Sequence, residues 1–116
     1  MREVFVSAGG RPLCRAEVAE NPLTRSVGLL GRKGLAAGRG LWIKPCSSIH
    51  TLFMRFTIDV LYLDRENKMV KVRRRMRPFR MSMGGKGAHS VIELAAGALD
   101  GFDLAPGDPM EIGDAP

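Results

Sequence analysis

The sequence predicts an α+β domain: a mainly antiparallel β-sheet or partly closed β-barrel with one short amphipathic helix packed on it. Three observations lead there. Short apolar runs at strand spacing outnumber segments at helical spacing, and 14 glycines with 7 prolines in 116 residues provide many tight turns. Only one stretch, opened by Asn21 and Pro22, carries the start signals of a helix. With 45% hydrophobic residues the chain can fill one packed core, so residues 1–116 are expected to form a single domain.

The elements follow in order. Glu3 to Ser7 and Arg11 to Val18 alternate in polarity around Gly9 and Gly10, the pattern of a β-hairpin. Asn21 can cap free N–H groups and Pro22 loses nothing at a first helical position; Leu23, Val27 and Leu30 then fall on one face until Gly31 and Gly34 stop the pattern. Leu41 to Ile43 reads as a buried strand ended by Pro45. Val60 to Leu63 and Met69 to Val72 form a second expected hairpin across Asp64 to Lys68. Met76 to Gly87, with one proline and three glycines, reads as an extended loop, and strands follow at Val91 to Leu94 and Met110 to Ile112. Asp114 to Pro116 is expected to fray.

The net charge of +6 is local. Between Arg65 and Arg80 stand eight basic residues and one acid, Glu66, while the rest of the chain carries ten basic and eleven acidic residues. Such a run can neutralise the phosphates of a nucleic acid or meet another anionic partner, with Arg73, Arg74, Arg75 and Arg77 at its centre. No stretch approaches the roughly 18 to 20 apolar residues of a membrane-spanning helix, so no membrane insertion is expected. A secretory signal is not evident either, so the expected location is cytoplasmic, with Cys14 and Cys46 as reduced thiols in a monomer.

Several segments resemble a known family. Thr24, Arg25, Gly28, Leu29, Leu30, Gly31, Arg32 and Leu35 resemble the T-x-x-x-x-G-L-M-x-R-x-x-L helix of the domain of unknown function 192 (DUF192) family, and Gly40, Leu41 and Trp42 resemble its glycine-led strand. Ile49 to Asp64 looks like the central signature, in the subgroup reading I-H-T-x-x-M. Val91 to Gly97 and Gly107-Asp108 resemble two later elements, so that the resemblance spans about residues 16–112. It implies a small β-rich domain with a short helix and no established activity.

Candidate chemistry concentrates in the middle of the chain. His50, Thr51, Met54, Arg55 and Asp59 fall within ten residues, uniting an imidazole, a guanidinium and a carboxylate. With no complete catalytic set, the sequence favours a small non-enzymatic ligand- or partner-binding accessory domain whose pocket is formed by His50, Thr51, Arg55, Asp59 and Glu93. One alternative is a hydrolase using His50 with Asp59. A metal-dependent enzyme is another, because Cys46 and His50, like His89 and Glu93, stand four apart, though the close Cys-x-x-Cys or His-x-x-x-His spacings of a zinc site are missing. A third is a nucleic-acid-binding module built on residues 65–80, in which Phe79 alone offers a stacking ring. The cofactor is unknown at this level. Gly84 to Gly87 lacks the phosphate-loop pattern and reads as a turn.

Overall fold

A computed structural model describes residues 2–114, the side chains of Leu23 and Ser26 excepted. Two residues of the expected frayed end, Ala115 and Pro116, lie outside the described residues.

Strand β1 (Glu3–Ala8) turns at Gly9 and Gly10 into β2 (Arg11–Ala19). Both glycines hold positive φ, 58° and 77°, which a two-residue hairpin matched to the sheet twist requires. Next comes β3 (Arg39–Ile43), parallel to β2, and a parallel pair needs a crossover, here residues 20–38. The remaining strands are β4 (Ser48–His50), β5 (Ile58–Leu63), β6 (Met69–Met76), β7 (Met81–Met83), β8 (Ser90–Ala95) and β9 (Met110–Gly113). Seven of them form one sheet in the order β6-β5-β8-β3-β2-β1-β9, antiparallel apart from β2 and β3. The others, β4 and β7, make a two-stranded ribbon.

The sheet curls until its ends meet. Met69 N donates to Asp108 O at 2.8 Å and Met110 N to Asn67 O at 2.9 Å, and Lys68 bridges Pro109, so the start of β6 is tied to the start of β9. The result is a curled half-barrel. Its interior holds Val6, Trp42, Leu61, Ile92, Leu94 and Leu99. Its other face carries Ile43, Ile58, Val60, Tyr62 and Val91 against the β4–β7 ribbon and the crossover. Because β5 and β8 are covered on both sides, they read as nearly unbroken apolar runs, and each is interrupted by a single acid, Asp59 or Glu93.

Two expectations change. Among the described residues helical turning is confined to Pro22–Val27 (α1), six residues with Asn21 Oδ1 accepting from Thr24 N at 2.8 Å. An amphipathic helix reaching Gly31 is not shown: Gly28 leaves the helix at φ 51°, Val27 is exposed, and Leu29 is buried beyond the helical end. The fold is therefore mostly β. The segment Met76 to Gly87, expected as a loop, contains the end of β6 and all of β7. In β7 the alternation is inverted, with Ser82 buried and Met81 and Met83 exposed, so hydrophobic periodicity had nothing to report. Gly84 follows from the ribbon's close approach, since a Cβ there would stand 2.5 Å from both the Tyr62 ring and the Ala88 Cβ. Tyr62 in turn donates its hydroxyl to Ser82 O at 3.1 Å.

Candidate functional site: an acid-floored cleft

Glu93 lies mid-strand in β8 between Leu41 of β3 and Val60 of β5. Alternation along the strand turns its side chain to the Tyr62 face, where it is 3% exposed. Among the described residues no hydrogen bond to its carboxyl group is found, and burial and the Arg32 charge are what act on it. Burial without such donors disfavours the charge and pushes the carboxyl up to about 7, against a weak opposing pull from Arg32.

Above it opens a cleft of about 150 Å³, roughly the liquid volume of five water molecules. The crossover supplies one wall through Arg25, Gly28 and Leu29, and Cys46, His50 and Met54 supply the opposite one. Gly28 borders the cleft at positive φ, and a Cβ there would lie in ordinary contact with Glu93 Oε1 at 3.8 Å. The Cys46 thiol donates to Ser48 O at 3.1 Å. Burial raises its pKa; the bond to Ser48 pulls it back, the Glu93 charge raises it further and Arg25 lowers it. Arg25 donates through Nη1 to Pro45 O at 3.2 Å, while its Nε is buried with no partner among the described residues. His50 stands exposed at the mouth, its Nδ1 accepting from Leu52 N at 3.3 Å.

Of the residues expected to share one pocket, the structure brings together His50 and Glu93. Asp59 points to the opposite side of the sheet, into the half-barrel's interior side, and is fully buried. Its Oδ1 accepts from Arg75 N at 2.8 Å, and its Oδ2 from Gly97 N at 3.1 Å and Leu99 N at 3.0 Å. A His50–Asp59 hydrolase pair is therefore not formed, because the carboxylate is consumed by backbone groups on the far face. Thr51 is buried too, donating to Arg77 O at 2.6 Å and accepting from Arg80 N at 2.9 Å, which holds two loops together. Arg55 is exposed and lines none of the cleft.

The other candidates also separate. His89 meets Cys46 through its backbone, its O accepting from Cys46 N at 2.7 Å, outside the Glu93 cleft. Among the described residues no three His, Cys, Asp or Glu side chains are placed to hold a metal ion. The arginines of β6 are largely committed to the fold. Arg73 donates to Met81 O, Arg74 to Leu99 O and Phe102 O, and Arg75 pairs with Asp100 through both terminal nitrogens. Arg77 remains exposed. Sequence reasoning missed Arg25 and Gly28 as cleft residues; both fall in a family-like block, but nothing in that block distinguishes a wall of a cleft from a capped helix.

A curled β half-barrel with a short ribbon over one face defines the class of small β-rich domains. The chain belongs to the DUF192 family, described as an uncharacterized ACR, whose pattern matches residues 4–112. It is similar to a UPF0127 protein of Pyrococcus abyssi, 33% identical over 103 residues that cover 84% of this chain and 85% of the relative. A UPF0127 protein of Thermococcus sibiricus is 35% identical over 65 residues, and that match spans 56% of this chain and 42% of the relative's length. Among solved structures, a Sinorhizobium meliloti protein described as a candidate transcription regulator superposes with TM-score 0.81 at 20% identity, covering 94% of this chain and 91% of that one. A protein of unknown function from Novosphingobium aromaticivorans gives 0.79 at 16% identity, with 94% and 83% covered. At these identities the two structures share the fold. No helix among the described residues is long and apolar enough to cross a membrane.

Proposed function

We propose that the protein is a small-ligand-binding domain whose site is the cleft over Glu93, with Arg25, Cys46 and His50 as its polar wall. The observation that carries this is Glu93 itself, a buried carboxyl without a described donor, facing an open cleft. A buried acid left so is costly to a fold, and a site that leaves it exposed only to a ligand gives that cost a purpose. The ligand chemistry follows from what is unpaired. Glu93 needs a hydrogen-bond donor, and the buried Nε of Arg25 needs an acceptor. A compact molecule carrying both, such as an amide or a small zwitterion, is complementary, and the cleft volume limits it to a few heavy atoms. The turn over Pro22–Val27, read from the sequence as part of an amphipathic helix packed on the sheet, serves as the wall that carries Arg25.

Acetamide and glycine are suitable first probes for a nitrogen-15 NMR titration. The expected result is chemical-shift change clustered on Gly28, Cys46, His50 and Glu93, lost in Glu93→Leu, a substitution that keeps the side chain's bulk and removes its acid. Shifts scattered over the surface, or unchanged in Glu93→Leu, would refute the proposal.

A further inference from the structure

The β4–β7 ribbon presents an apolar face that the cleft does not use. Phe53, Phe79, Met81 and Met83 are 76%, 56%, 73% and 72% exposed. Phe53 and Phe79 each sit at positive φ, 63° and 62°, a backbone region that bulky side chains rarely occupy and that persists when the surroundings enforce it. Their rings meet edge to face with centroids 5.7 Å apart. The inverted alternation of β7 sends both methionines outward beside them. Four large apolar side chains are thus exposed on the ribbon and the turns that flank it, and none of them lines the cleft.

The surroundings are cationic. Residues 46–58 and 67–92, the two segments that build this face, contain no Asp or Glu. Arg55 and Arg80 stand within two residues of the phenylalanines, and Arg77 is joined through its carbonyl to Thr51. Lys71 Nζ and Arg73 Nη1 donate to Met83 O and Met81 O, both at 2.8 Å, which sets two more cations beside the methionines. These bonds also occupy the outer carbonyls of β7, so a partner strand cannot add there.

We infer that this face docks on an anionic lipid surface, with Phe53 and Phe79 entering the headgroup boundary and the flanking Arg and Lys side chains meeting lipid phosphates. Charge complementarity selects an anionic partner and disfavours a second copy of the same cationic face. Projecting tips suit a soft surface, whereas an amphipathic helix needs a groove. A single-stranded nucleic acid would match the charge, but Phe53 and Phe79 pack edge to face on each other and the methionines add no further ring on which successive bases could stack. Such docking requires no spanning segment, and no helix among the described residues is long and apolar enough to be one.

The test is co-sedimentation of the full chain with vesicles of phosphatidylcholine alone and of phosphatidylcholine mixed equally with phosphatidylglycerol. Phe53→Asn with Phe79→Asn is the informative variant, since asparagine tolerates positive φ and the fold is retained; an unchanged melting temperature checks this. Binding to the anionic vesicles should exceed binding to the neutral ones by about tenfold or more and weaken with salt, and the double variant should lose it by a similar factor. Equal binding to both vesicles, no binding, or an unaffected double variant would overturn the inference. Tighter binding to a single-stranded RNA oligomer than to anionic vesicles, lost in the same variant, would overturn it in favour of a nucleic-acid interface.

Discussion

Asp59 and Glu93 stand on neighbouring central strands, one residue out of register, and so face opposite sides of the same sheet: Asp59 pairs with Leu94, and Glu93 with Val60. That single step separates a structural acid from a candidate functional one. Asp59 meets three backbone N–H groups, while no hydrogen bond to Glu93 is found among the described residues.

Substituting Asp59 should therefore unfold the protein more readily without touching the cleft. Asparagine retains one oxygen and cannot serve Arg75 on one side and Gly97 with Leu99 on the other. Leaving one or two buried N–H groups unpaired predicts a loss of about 3 kcal/mol in Asp59→Asn, read by urea denaturation. An unchanged midpoint would show that these bonds are dispensable.

Glu93 predicts a pH dependence of the opposite sense to the usual carboxylate. Its folded pKa, about 7, lies above the ordinary value of 4.5. Below both values each state holds the proton. As pH rises between them the unfolded chain releases it first, so the folded state is progressively disfavoured, and the loss levels off above about 7. The full span amounts to roughly 3 kcal/mol. Denaturation of the wild type and of Glu93→Gln across this range should differ by a falling contribution that the variant lacks.

Thr51 and Gly84 test how the ribbon is held. Thr51→Val preserves shape but removes the hydroxyl shared by Arg77 O and Arg80 N, with an expected cost of about 1–3 kcal/mol. Gly84→Ala forces a methyl group against the Tyr62 ring, with an expected cost of about 1–3 kcal/mol from overpacking. Thermal melts of both variants check these values.

The two thiols should differ in reactivity. Burial pushes Cys14 up to about 12, and Cys46, half-buried at the cleft, is raised from its ordinary value. Alkylation with iodoacetamide at neutral pH should be slow at both and faster at Cys46, as followed by mass spectrometry of the digested protein. Prior or equal modification of Cys14 would contradict the burial described.

Much of the main sheet was legible because its side chains alternate, or run apolar, as the two-faced burial demands. The hairpin at Gly9-Gly10 and the strands holding Leu61, Ile92 and Leu94 follow from that pattern alone. What pattern could not supply was facing. Asp59 and Glu93 are each one acid in an apolar strand, and only the register of β5 against β8 shows that they point apart. The β4–β7 ribbon stayed hidden because its methionines face outward. The expected helix overreached because Leu29 and Leu30 continue a helical spacing past Gly28, where the backbone turns away. Thr51 drew notice as a polar residue beside His50, yet its bonds run to Arg77 and Arg80, 26 and 29 residues distant, which no local spacing reveals.

The most direct measurement is a carbon-13 NMR titration of the Glu93 side-chain carboxyl in the folded protein, assigned by its disappearance in Glu93→Gln. A midpoint near 7 is expected for an acid held under the cleft without donors. A midpoint near 4.5 would mean that water or a protein donor already satisfies it, and the cleft would lose its reason to take a ligand.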